Sequence, residues 1–69
     1  MVEKVLERLK SDVEEAEKAL KDASILLKTA VEAGIDVSAE ESEHYELQER
    51  VKKLKESIDK SLKEIKGKE

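Results

Sequence analysis

The chain contains no cysteine, which excludes disulfides and thiolate zinc sites as sources of stability. Proline is absent and glycine occurs only at Gly34 and Gly67, so the residues that most often break helices are nearly missing. Tryptophan and phenylalanine are absent, and tyrosine occurs once. Asparagine is absent and glutamine occurs once, at Gln48; with abundant Glu and Lys, this leans towards a thermophilic source. The longest apolar run is Ile25-Leu26-Leu27, far short of the about 20 residues a membrane-spanning helix needs. The opening Met1-Val2-Glu3-Lys4 is charged and lacks a signal-peptide core, so a cytoplasmic location is expected.

What the chain does have is charge and a period. Charged residues make up 46% of its 69 residues, yet the net charge is only −4, so the charges are mixed and do not force the chain open. Glu, Lys, Leu and Ala dominate, all good helix formers. A chain this short makes one domain, expected over 1–69. Below about 70–80 residues a single core supplies only a few kcal/mol without help. With disulfides excluded and a single histidine for metal binding, close helix packing and self-association remain.

Apolar residues of the first half fall at 2, 6, 9, 13, 16, 20, 23, 27 and 30, alternating steps of four and three. This is a heptad pattern over about four repeats. It places Leu6, Val13, Leu20 and Leu27 at position a, and Val2, Leu9, Ala16, Ala23 and Ala30 at d. In the second half, a is His44, Val51, Ile58 and Ile65, and d is Leu47, Leu54 and Ser61. Between the halves, Gly34 suits the left-handed residue that ends a helix, and Ile35 can fold back on the last turn. Ser38 followed by Glu41 reads as a capping box. The prediction is an all-α, two-helix antiparallel coiled-coil hairpin: helix over 2–33, turn over 34–38, helix over 39–66, then a frayed tail.

An antiparallel register centred on Val37 pairs Leu27 with Leu47, Ala23 with Val51, Leu20 with Leu54, Ala16 with Ile58 and Leu9 with Ile65. Alanines then let the helices approach and leucines interlock between them. Outside the seam, Glu14–Lys18, Glu17–Lys21, Glu49–Lys53, Glu56–Lys60 and Glu64–Lys68 are spaced for i,i+4 pairing, each worth only about 0.2–0.5 kcal/mol.

Two features exceed what a hairpin needs. Val5, Ala19, Leu26 and Ala33 form an apolar g column interrupted by Asp12, with Ile25 at f, Val31 at e, Leu62 at e and Tyr45 at b. Val5, Ala19, Ile25, Leu26, Val31 and Leu62 are therefore the expected interface for a second copy, giving a homodimeric four-helix bundle. Charge is also uneven: Glu32, Asp36, Glu40, Glu41, Glu43, Glu46 and Glu49 fall in a stretch from Thr29 with no base. From Arg50 onward eight bases face four acids. The helix dipole favours such an order, and an acidic tip could also steer a basic partner protein.

Chemistry finds little to use. Glu41-Ser42-Glu43-His44 has the Glu-x-x-His spacing of di-iron bundles. Its Glu41 falls at e, and helix 1 offers no inward carboxylate, so no metal is expected. The serines have no base and orienting group beside them, so neither enzymatic activity nor a cofactor is expected. Lys52, Lys53, Lys55, Lys60, Lys63 and Lys66 could contact phosphate, making nucleic-acid binding the alternative function. They are spread around the helix among acids, with no aromatic platform. The leading expectation is a non-enzymatic, self-associating protein-interaction module.

Overall fold

The heptad spacing and the stop at Gly34 resolve, in a computed structural model describing residues 2–67, into two long helices: α1 over Val2–Glu32 and α2 over Ser38–Gly67. They pack antiparallel into a rod of 55 × 15 × 13 Å. Gly67 belongs to α2, contrary to the expected fray. Lys68 and Glu69, and with them the expected Glu64–Lys68 pair, lie outside the described residues.

Helix α1 ends in a Schellman motif. Gly34 adopts φ +79° and donates its N–H to Val31 O at 3.0 Å, while Ile35 N donates to Ala30 O at 3.0 Å. Those bonds satisfy carbonyls that the helix end would leave open. A side chain at residue 34 would be strained by its backbone angle.

The start of α2 differs from the expected capping box. Ser38 does not cap through Glu41; its hydroxyl donates to Asp36 Oδ1 at 2.7 Å, and its N–H donates to the same oxygen at 3.1 Å. Glu41 N donates instead to Val37 O at 2.8 Å. The carboxylate is a stronger acceptor than a hydroxyl, and two residues upstream it reaches the exposed N–H of Ser38 in an Asx turn.

The seam also departs from the expected a/d pattern. Val13, Ile58 and Leu62 form the buried cluster, with Leu6 and Val51 packed against it. Ala16, Leu20, Ala23, Leu27, Ala30 and Ile65 are half-buried, as the heptads place them. Leu62, expected on an outer interface, is 8% exposed. Leu47 and Leu54, expected in the seam, are 48% and 49% exposed, and Leu9 is 41% exposed. Helix α2 is thus rotated so that its e side, not its d side, flanks position a.

The cause lies at the open end, where d is Ser61 and e is Leu62. Burying a leucine side chain stabilises by about 1.5–3 kcal/mol, and a serine offers no such gain. A straight helix drifts by about 20° per heptad against a 3.5-residue repeat, so Leu47, Leu54 and Leu62 do not all reach one seam. The contact register moves accordingly. Lys10 meets Asp59 and Glu17 meets Lys55, each at 3.3 Å. Centring on Val37 would have put Lys10 opposite Glu64 and Glu17 opposite Ser57. Among the described residues the ion pairs bridge the two helices, and the expected i,i+4 pairs stay open. Holding two exposed side chains in one geometry gains little.

Candidate interaction surfaces

The hairpin has two unlike edges. On one, Glu17 meets Lys55, and Ser24 and Gln48 line the same shallow groove. All four occupy e positions, and the adjoining grooves continue along this edge through Val31, Glu41 and His44 to the turn, and through Lys10, Leu62 and Lys66 to the open end. This edge is cross-linked by charge, and its grooves mix charged side chains with apolar ones such as Leu20, Leu27, Val31 and Tyr45.

The other edge carries positions d and g of both helices. In an antiparallel pair these fall together on the side opposite the e positions, because the two helices are viewed from opposite ends. Here stand Val5 at 58%, Leu9 at 41% and Leu26 at 71% exposure on α1, with exposed Ala19, and Leu47 and Leu54 on α2. The axial levels follow from the groove and ion-pair partners. Gln48, next to Leu47, shares a groove with Ser24 and Leu27, and Lys55, next to Leu54, pairs with Glu17. Leu26 and Leu47 therefore fall at similar heights along the rod, as do Ala19 and Leu54, with Leu9 and Val5 nearer the open end.

The expected interface residues divide between surfaces. Val5, Ala19 and Leu26 share the apolar edge; Ile25, 61% exposed, sits further round the back of α1. Val31, 51% exposed, lies on the opposite edge, which bears the e positions, beside Tyr45 and His44. Leu62 is taken by the core. Leu47 and Leu54 are the additions, and a serine at d followed by a leucine at e was the signal in the sequence that could have revealed them.

Groups able to do chemistry stay apart. No cluster of three His, Asp or Glu side chains placed to hold a metal occurs among the described residues. His44 and Glu41 border one groove, but His44 Nε2 is engaged by Leu20 O at 2.7 Å. Of the lysines, Lys55 is held by Glu17 and Lys10 by Asp59, while Lys52, Lys53, Lys60, Lys63 and Lys66 are exposed and point around α2. At the turn, Glu40, Glu41, Glu43 and Glu46 are all exposed. No described helix is long and apolar enough to cross a membrane. No protein-family model matches the chain, and comparison with curated proteins and with solved structures finds no match to either.

Proposed function

We propose that this chain is a non-enzymatic interaction module that works by self-association, two hairpins packing into a four-helix bundle. The observation that carries this reading is the imbalance between buried and exposed apolar side chains. Among the described residues, three hydrophobic side chains, Val13, Ile58 and Leu62, are buried, while Val5, Leu9, Leu26, Leu47 and Leu54 stand at 41% to 71% exposure along one edge. Large contiguous apolar surface on a small protein marks an interaction site, and a hairpin with so thin a core gains stability from a second copy. The acidic turn then stays free at the bundle surface to steer a basic partner protein.

Molar mass measured by light scattering or sedimentation equilibrium across a concentration series tests this. The expected result is twice the chain mass at micromolar to millimolar concentration, falling to the chain mass in Leu26→Glu with helicity retained. A wild-type protein that stays at 7.8 kDa throughout the series would overturn the proposal.

A further inference from the structure

We infer that α2 has two rotations about its own axis, close in energy, and that polar ties between the helices latch it in the one that presents Leu47 and Leu54. Released, α2 turns by about 50°, drawing those two leucines into the seam and uncovering Leu62. At 3.6 residues per turn, that angle separates a seam centred between positions a and e from one centred between a and d.

The two halves of α2 favour opposite rotations. Towards the open end, Ser61 at d and Leu62 at e favour the present one. Leu62 is 8% exposed and packs with Val13 and Ile58. Towards the turn, Leu47 and Leu54 stand at d, with Gln48 and Lys55 at e. There the present rotation leaves the leucines 48% and 49% exposed, and no described residue from Leu20 to Val51 is buried. On the facing helix, Ala16, Ala23 and Ala30 stand at d, with no atoms beyond Cβ to oppose a turn. Turning α2 towards d buries more of two leucines and uncovers one, and apolar stabilisation follows buried area. Apolar burial therefore does not hold the present rotation by itself.

What holds it is polar and lies on one side. Lys10 and Glu17 occupy e positions of α1, and their partners Asp59 and Lys55 occupy b and e of α2, each pair at 3.3 Å. His44 Nε2 adds a third tie, 2.7 Å from Leu20 O. Among the described residues no ion pair crosses between the helices on the d/g edge. Turning α2 towards d carries Asp59 and Lys55 away from Lys10 and Glu17, and draws the His44 ring off Leu20 O. The four charged side chains are 39% to 47% exposed. Exposed pairs contribute little each and weaken as salt rises, so the latch is light and ionic strength loosens it. Two packings of one sequence that lie this close are switched by small local changes. The rotation sets how much apolar surface the d/g edge offers a second copy, and that consequence alone rests on the self-association reading.

Methyl relaxation induced by a soluble gadolinium chelate reads exposure residue by residue. In the wild type the Leu47 and Leu54 methyls should relax fast and those of Leu62 slowly. Glu17→Gln, Asp59→Asn and His44→Phe together remove the three ties and keep every leucine, and circular dichroism checks that helicity is retained. In this triple variant Leu62 should lose its protection while Leu47 and Leu54 gain it. Wild type in about 1 M salt should move the same way, less far. A second chain, Ser61→Leu with Leu62→Ser, moves a leucine from e to d and should show Leu47 and Leu54 protected with every tie residue in place. Packing against a second copy would also shield Leu47 and Leu54, but it would not uncover Leu62, so the two readings fail separately. Leu62 methyls that stay protected in the triple variant, or Leu47 and Leu54 methyls that stay exposed in the transposed chain, would overturn the latch.

Discussion

The imidazole of His44 reaches across the seam to the main chain of α1, placing Nε2 2.7 Å from Leu20 O. A carbonyl oxygen only accepts, so Nε2 is the donor and carries the hydrogen. The contact explains why a polar ring occupies an a position: its hydrogen bond is made to backbone, and its body is half-buried.

That assignment predicts the neutral tautomer of His44. Nitrogen-15 shifts at a pH where the ring is neutral should show Nε2 protonated and Nδ1 bare. His44→Phe keeps a ring and loses the bond, and should cost about 1 kcal/mol in urea unfolding. An Nδ1-protonated ring would mean the contact does not form in solution.

The rotation of α2 separates two leucines that heptad spacing treats alike. Leu62→Ala removes a side chain only 8% exposed and should destabilise the hairpin by about 2–3 kcal/mol. Leu54→Ala, at 49% exposure, should cost less than half as much when unfolding is followed at the lowest workable concentration. Its larger effect should fall on self-association. Equal losses for the two variants would argue for an a/d seam.

Gly34 is left-handed at φ +79°, and a Cβ added there meets nothing within 4 Å. Replacement by alanine therefore tests backbone strain alone. Gly34→Ala should destabilise by about 1–2 kcal/mol, and Gly34→Asn by less, since asparagine tolerates this region better. Thermal unfolding of the three proteins should rank them Gly, Asn, Ala.

Asp36 gives the turn a pH dependence. The Ser38 hydroxyl, and then the Ser38 N–H, hold its carboxyl below the usual value of 3.8, against a small opposing effect of burial. A folded-state value lower than the unfolded one means its contribution to stability is fully present above pH 3.8 and fades as pH falls through the lowered value. Asp36→Ala should therefore lower the melting temperature near pH 7, and the gap from wild type should narrow in strong acid. Ser38→Ala, which removes the hydroxyl donor, should raise the Asp36 titration seen by carboxyl carbon-13 shifts. A gap that is constant across the acid range would remove the carboxylate from the cap.

The number of helices, their antiparallel return and the position of the turn are all legible in the sequence, because each depends on local signals that agree. Four-and-three spacing runs through Leu6, Val13, Leu20 and Leu27, proline is absent, and Gly34 stands where the spacing pauses. The left-handed conformation is open to glycine at little cost and strained for most other residues, so that one residue is a strong local stop.

Only the tertiary structure decided which side of α2 faces α1. The d leucines Leu47 and Leu54 and the e leucine Leu62 compete for one seam, and the outcome depends on summed burial along the whole helix pair. Leu62 won beside Val13 and Ile58, turning Leu47 and Leu54 outward to join Leu26 on the same edge. The capping partner of Ser38 was decided in the same way, by where the folded turn put the Asp36 carboxylate. Helix formation is governed by residues three and four apart, which a sequence displays directly. The rotation of one helix against another is governed by residues far apart in sequence, whose contacts exist only once the hairpin has closed.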